Sequence, residues 1–191
     1  MRVLGIDPGT RFMGFGVVEE KSGRLVHVAH GVIRTCATSR LECRLQELFA
    51  ELSAAVLMHR PQCVAVEGIF HFRNARSALI LGHARGVALL VAAQTGLAVH
   101  EYSPASVKRA VGAGGADGKE AVARMVRRFL GAAGLDRADA SDALAVAICH
   151  LNRARIGPKL GTPPPISSGR SAAAALSGRL RPALHRFGAS G

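Results

Sequence analysis

The stretch that decides the fold is residues 3–10, Val3-Leu4-Gly5-Ile6-Asp7-Pro8-Gly9-Thr10. A short apolar run leads into an aspartate and then into a Pro-Gly turn, which is typical of a buried strand that ends abruptly. Two further segments, Gly14–Val18 and Leu25–Val28, have strand character and are joined through the turn sequence Lys21-Ser22-Gly23. The pattern therefore predicts three meandering strands at the start of the chain.

Helices and strands alternate after this meander. Ser39 and Glu42 have capping-box spacing ahead of a helical apolar stripe, which Pro61 ends. Buried strands are predicted over 63–66 and 97–102, and helices over 75–93, 104–111, 119–130 and 138–153. This order indicates the α/β class, with a mixed sheet and helices packed on its faces.

Length and charge indicate one basic domain with a tail. The chain has 191 residues, 49% of them hydrophobic, and a formal net charge of +12. Residues 156–191 are rich in Pro, Ala and Gly and contain five basic residues and no acid, so we expect one folded domain over 1–155 and a flexible basic tail over 156–191. Such a charge predicts a polyanionic partner, either nucleic acid or an anionic membrane surface.

No membrane segment or zinc site is expected from the sequence. The most apolar run, Val87–Ala93, is far shorter than the ~20 residues that span a bilayer. Asp7 interrupts any signal-peptide pattern, so we expect a cytoplasmic protein without a membrane partner. The four cysteines lack CxxC spacing and are interpreted as buried thiols, and the histidines, His100 and His150 among them, as hydrogen-bonded polar groups.

Four acidic residues stand at the ends of apolar elements. Asp7 ends the first strand, Glu67 ends the fourth, and Asp139 and Asp142 share one face of the last helix. If the first and fourth strands are neighbours, all four carboxylates can converge, and their mutual repulsion then requires cations. Hard oxygen ligands suit Mg²⁺ or Mn²⁺, and a pair of such ions can hydrolyse a phosphodiester. The alternative is that each acid is an ordinary turn, strand-end or helix first-turn residue.

Several separate motifs, in order, carry a family resemblance. They are Gly5-Ile6-Asp7-Pro8-Gly9-Thr10 with Gly14-Phe15-Gly16-Val17, Val66-Glu67-Gly68-Ile69-Phe70, the helix segment 75–86, Tyr102-Ser103-Pro104 with Val107-Lys108, and Ala138-Asp139-Ala140-Ser141-Asp142-Ala143-Leu144-Ala145. Over about residues 2–155 the chain resembles the RuvC-type Holliday junction resolvases of bacteria. The resemblance implies an RNase H-like fold, a five-stranded mixed sheet flanked by helices.

The resemblance also implies a function and its partners. RuvC-type resolvases act as homodimers that nick two opposed strands of four-way junction DNA in recombination and repair, beside the RuvA–RuvB branch-migration complex. The family's catalytic, metal-binding acids match Asp7, Glu67, Asp139 and Asp142. Its two important lysines match Lys108 and Lys119, and its aromatic after the second acid matches Phe70. Gly68 departs from the glutamine expected beside the second acid.

Other residues extend the predicted DNA and dimer surfaces. Phe70 is predicted to stack on an unpaired base, with Arg76 and Arg124 contacting phosphates. The alternatives are a core phenylalanine and solvated basic faces. Gly82 and Gly86, with Ala78 one turn before, form a small-residue face on the long helix. This face is interpreted as the dimer interface, the alternative being that it packs on the protein's own sheet.

Two rival functions were weighed against a metal-dependent junction endonuclease. The Asp-Pro-Gly-Thr opening also occurs in actin-like ATPases, but their two-domain clasp does not fit in 191 residues, and no second Asp-x-Gly phosphate motif is present. A non-catalytic junction-binding module would be favoured by a missing acid, whereas all four acids are present.

Overall fold

The computed structural model describes residues 1–68, 75–112, 119–131 and 138–156, without the side chains of Lys119, Ala138, Asp139 and Ile156. Its elements are β1 (Arg2–Asp7), β2 (Phe12–Lys21), β3 (Arg24–Arg34), α1 (Leu41–His59), β4 (Cys63–Glu67), α2 (Ala75–Gln94), β5 (Ala98–Tyr102), α3 (Pro104–Ala110), α4 (Lys119–Leu130) and α5 (Ala138–Ile156). The predicted α/β class is confirmed, and the predicted elements lie in the predicted order.

The five strands form one mixed sheet in the order β3-β2-β1-β4-β5. The first three strands pair antiparallel, while β1–β4 and β4–β5 pair parallel. Ser22 and Gly23 both have positive φ, at 50° and 77°, and make the predicted hairpin turn. The first and fourth strands are therefore neighbours, which is the condition on which convergence of the acids depended.

The start of α1 corrects one sequence expectation. The helix begins at Leu41 with Arg40 as its N-cap, and no side chain caps it, so the predicted capping box of Ser39 and Glu42 is wrong. Glu42 instead pairs with Arg40, Oε1 to Nε at 2.7 Å. The predicted end is confirmed, because Arg60 takes the left-handed conformation directly before Pro61.

The sheet is covered on both faces. One face packs on α5, whose residues 143–149 are fully buried, with α3 and α4 lying against that helix. The opposite face packs on α1 and α2 through residues such as Leu52 and Val91. The core is aliphatic, as the low aromatic content of the sequence requires.

Helix α5 approaches the sheet unusually closely, and two paired glycines make this possible. Gly5 of β1 lies opposite Gly16 of β2 in the register. A Cβ built on Gly5 would lie 2.0 Å from the carbonyl oxygen of Ala143, and one on Gly16 would lie 2.6 Å from Cγ of Leu144. A side chain at either strand position would therefore push the helix away from the sheet.

Helix α2 is apolar over a longer stretch than the sequence predicts from the run Val87–Ala93. Its 20 residues are long and apolar enough to cross a membrane by length and composition, and 28% of that window is buried. The sequence expectation rested on the seven residues of Val87–Ala93 and did not foresee this. The predicted boundary near residue 155 stays a prediction, because α5 continues through Ile156 and residues 157–191 lie outside the described residues.

Candidate active site

Two of the predicted acids lie side by side at the carboxyl ends of parallel strands. Ile6 of β1 pairs with Val66 of β4, and the next residues, Asp7 and Glu67, are the last of these two strands. Both side chains are half-buried and line a cleft of about 270 Å³. Ligand sites of α/β sheets lie at this edge, where the strands end and the backbone diverges.

A third acid reaches the cleft from α5. Asp142 is half-buried and lines the cleft with Asp7 and Glu67. The close contact between Gly5 and Ala143 places Asp142 near Asp7. Gly5 precedes Asp7 by two residues on β1, and Ala143 directly follows Asp142 on α5. Asp139 lies on α5 one turn before Asp142, but its side chain lies outside the described residues.

A lysine also contributes to the cleft. Lys108 of α3 lines the same cleft and is half-buried. Ser103 caps α3, where its hydroxyl oxygen accepts from the backbone N–H of Ser106 at 3.2 Å. Val107 and Val122 supply apolar wall. Apolar surroundings strengthen the interaction of the charged groups with one another and with any ion that they hold.

The donor set of the cleft fits hard divalent cations. Its described metal-ligating groups are three carboxylates, with no cysteine or histidine in the described lining. All-oxygen sites of this kind suit Mg²⁺ and Mn²⁺ rather than zinc or copper. Lys108 adds a positive charge that can bind a phosphate oxygen, so the cleft can hold both a cation and a phosphodiester.

The remaining predicted site residues either do not line the described part of the cleft or lie outside the described residues. Arg76 at the start of α2 and Arg124 on α4 are exposed, and neither lines the described part of the cleft. Lys119 begins α4, but its side chain lies outside the described residues, as does all of Phe70. No atom among the described residues lies within 4 Å of a Cβ built on Gly82 or Gly86, so these two glycines do not pack on their own sheet.

The sequence interpretation missed two features. One is the Gly5–Gly16 pair that seats α5, for which glycines inside predicted strands were an available signal. The other is a group of Cys63, His100 and His150, whose ligand atoms all lie within 4.8 Å of one another. The expectation that all four cysteines are buried is also wrong, since Cys36 and Cys43 are exposed and only Cys63 and Cys149 are buried.

Comparisons with known proteins agree with this arrangement. The family model of "Crossover junction endodeoxyribonuclease RuvC" matches residues 3–150. The chain is 64% identical to the crossover junction endodeoxyribonuclease RuvC of Myxococcus xanthus (strain DK1622), over 97% of this chain and 98% of that one.

Solved structures give the same result. The structure of T. thermophilus RuvC in complex with Holliday junction substrate superimposes with a TM-score of 0.79 at 35% identity, over 87% of this chain and 99% of that one. The yeast mitochondrial Holliday junction resolvase Ydc2, at 14% identity and a TM-score of 0.57 over 78% of this chain and 77% of that one, shares the fold. The chain therefore belongs to the RuvC family of crossover junction endodeoxyribonucleases.

Proposed function

We propose that this chain resolves four-way DNA junctions at the cleft of Asp7, Glu67, Asp142 and Lys108, by paired nicks that require divalent metal ions. The observation that carries the site assignment is that three carboxylates from three separate elements line one cleft with a lysine. A purely structural role for these carboxylates would destabilise the fold, because unneutralised carboxylates repel one another in apolar surroundings. Asp139, one helical turn from Asp142, is proposed as the fourth acid.

RuvC nucleases are metal-dependent, and the cleft suggests which metal. We propose Mg²⁺ or Mn²⁺, two ions per site, held by Asp7, Glu67, Asp139 and Asp142. When bound, such ions activate water and stabilise charge on the leaving oxygen of a phosphodiester. Asp7 and Glu67, fixed at the ends of neighbouring strands, provide the rigid part of the ligand set.

Lys108 and the basic surface are proposed to position the DNA. Lys108 is half-buried and lines the cleft together with the acids, so its ammonium can hold a non-bridging phosphate oxygen and oppose the charge that develops on it. Lys119, Arg76 and Arg124 are proposed phosphate contacts farther from the cut. Because such binding releases counterions, junction affinity should fall as salt rises.

Phe70 is proposed to stack on a base next to the cut. It follows Glu67 by three residues, which is close enough to reach nucleotides beside the scissile phosphate. A base–aromatic stack contributes about 1–3 kcal/mol and would offset part of the cost of unpairing the junction. Phe70→Ala should slow cleavage of an intact junction more than it weakens binding. An unpaired base at the cut should partly restore the rate.

A homodimer is proposed to form through the outer face of α2. Leu79 and Leu90 are 65% and 51% exposed and lie on the same side of the helix as Gly86, while Ala84 and Ala88 face the core. A helix that is apolar on both sides requires a second neighbour. A two-fold partner would cover this stripe, with close approach at Ala78, Gly82 and Gly86, and would present two clefts to opposed strands.

The dimer proposal has its own test. Gly86→Glu should convert the dimer to monomers in sedimentation and abolish paired nicking, while Gln94→Glu on the same helix should leave the dimer intact. A stable Gly86→Glu dimer with normal cleavage would move the interface elsewhere. On this proposal the exposed apolar face of α2 packs against the same helix of a second subunit, and the enzyme is cytoplasmic. The further partner proposed from the family resemblance is the RuvA–RuvB complex.

The deciding experiment is cleavage of a synthetic four-way junction by the full chain. We expect symmetric paired nicks with Mg²⁺ or Mn²⁺, none after chelation, and little cutting of linear duplex of the same sequence. Junction binding without cleavage under every metal tested would favour a non-catalytic binding module instead. Cleavage that survives chelation would remove the metal from the mechanism.

A further inference from the structure

A second cluster of metal-ligating side chains lies apart from the acidic cleft. Cys63 begins β4, His100 lies in the middle of β5, and His150 lies on α5. The Sγ of Cys63 is 3.4 Å from Nε2 of His150, and the rings of His100 and His150 are 4.5 Å apart between centroids. All three ligand atoms lie within 4.8 Å of one another. We call these three residues the Cys–His cluster.

The spacing within the cluster is close to that of ligands around one zinc ion. With a Zn–S bond of about 2.3 Å and a Zn–N bond of about 2.0–2.1 Å, sulfur and nitrogen ligands of a tetrahedral ion lie about 3.5 Å apart. The observed 3.4 Å between Cys63 and His150 matches this value. The third ligand, His100, has its nitrogen within 4.8 Å of both other ligand atoms.

Tyr102 orients His150 in the way that metal-binding histidines are usually oriented. Its hydroxyl lies 2.7 Å from Nδ1 of His150, and both residues are buried. When Nδ1–H donates to the tyrosine oxygen, the lone pair of Nε2 is directed at Cys63. Such an outer partner fixes the tautomer of a metal ligand and increases its affinity.

Burial favours a neutral imidazole at His150, which suits a metal ion, and a protonated thiol at Cys63, which opposes one. Burial, with the neighbouring His100 acting in the same direction, lowers the pKa of His150 to about 4, so its imidazole is neutral at physiological pH. Burial raises the pKa of the Cys63 thiol to about 11. An ion must therefore displace the thiol proton, and binding should release that proton to solvent. His100 is half-exposed and provides a route of entry.

We propose that Cys63, His100 and His150 bind one zinc-class divalent ion, with water as the fourth ligand, at a site separate from the acidic cleft. The ligands come from β4, β5 and α5, so the ion would fasten the strand that carries Glu67 and the edge strand to the helix that carries Asp142. Its role is structural, because two of its ligands, Cys63 and His150, lie about 12–13 Å along β4 and α5 from Glu67 and Asp142 of the cleft.

The test is a Co²⁺ titration of the full chain with Mg²⁺ in excess, so that the acidic cleft is occupied. We expect one Co²⁺ per chain, with a thiolate-to-cobalt charge-transfer band, tetrahedral visible bands and displacement by Zn²⁺. Cys63→Ala should lose the thiolate band. The matched variant Cys149→Ala removes the other buried thiol and should keep it, as should Cys36→Ser.

Stability gives a second readout that does not depend on the cobalt spectrum. Zn²⁺ should raise the melting temperature of the wild type, and this increase should be lost in His100→Gln, whose half-exposed position makes the substitution easy to accommodate. Absence of a thiolate band in the wild type, or its persistence in Cys63→Ala, would overturn the proposal. Glu67→Gln should bind Co²⁺ normally, so failure of the nuclease assignment would be seen separately.

Discussion

The acidic cleft and the Cys–His cluster lie at opposite ends of β4 and about two turns apart on α5. Glu67 and Cys63 are four residues apart on β4, and Asp142 and His150 are eight residues apart on α5, which is about 12–13 Å in each case. The cleft end presents hard oxygen donors that are half-buried. The cluster end presents sulfur and nitrogen donors, two of them buried.

This difference shows how one fold can keep an oxygen-ligand site and a sulfur- and nitrogen-ligand site apart. At the cleft the strands have ended, so the carboxylates can reach solvent, substrate and weakly held ions. At the cluster the strands are still paired and the helix still covers them, so the side chains are enclosed and only a tightly held ion would be retained. The two ends should therefore respond differently to substitution.

The largest expected effect is at the cleft. Glu67→Gln keeps the size of the side chain but removes its charge, so cleavage of a four-way junction should fall by at least about 10³-fold, several kcal/mol of transition-state stabilisation. Junction affinity, measured by gel shift, should stay near the wild-type value because the basic surface is unchanged. Glu51→Gln on the exposed face of α1 is the matched control. Cleavage by Glu67→Gln at close to the wild-type rate would remove this residue from the mechanism.

The next largest effect is expected at Gly5 and Gly16, the paired glycines against which α5 packs. Gly5→Ala places a methyl group 2.0 Å from a backbone oxygen, which cannot move alone, so urea unfolding should show a loss of about 3 kcal/mol and cleavage should fall. Gly16→Ala instead meets mainly the side chain of Leu144. The double variant with Leu144→Ala should therefore be destabilised by less than the sum of the two single changes. Strict additivity would contradict the proposed contact.

A smaller effect is expected at Tyr102, whose backbone pairs with Glu67 but whose hydroxyl contacts His150 of the cluster. Tyr102→Phe leaves Nδ1 of the buried His150 without its partner, so the free energy of unfolding should fall by about 1–3 kcal/mol. Co²⁺ affinity should fall about 10–100-fold. Cleavage per folded molecule should be almost unchanged, since Tyr102 is not among the described residues that line the cleft. A loss of cleavage with normal metal affinity would show that the two ends are not separate.

The smallest effect is expected on the opposite face of β5. Glu101 pairs with Arg85 of α2, Oε2 to Nη2 at 2.9 Å, with side chains 30% and 23% exposed. Glu101→Gln should cost about 1 kcal/mol or less, because partly exposed ion pairs contribute little. It should leave metal binding by His100 on the other face intact. A loss of Co²⁺ binding would mean that the edge strand depends on α2 rather than on the cluster.

The sequence predicted the acids of the cleft well because they stand at the ends of periodic segments. Asp7 and Glu67 follow apolar runs, and a parallel pairing of those runs is enough to bring them together. The sequence predicted helix α1 but not its cap, since the chain reaches helical geometry only at Leu41, beyond Ser39. Phe70 stays a prediction, as do the side-chain roles of Asp139 and Lys119.

Local pattern by itself determined the element order, the mixed sheet and three of the groups that line the cleft, because apolar periodicity and turn residues act over a few neighbours in the chain. Only the tertiary structure decided what lies beside what across longer distances. Cys63, His100 and His150 are separated by 37 and 50 positions, and no local motif links the start of β4 to the middle of β5 and of α5. These three side chains come together because of the strand order, the parallel register and the close packing of α5 on Gly5 and Gly16. No local stretch of residues determines any of these features.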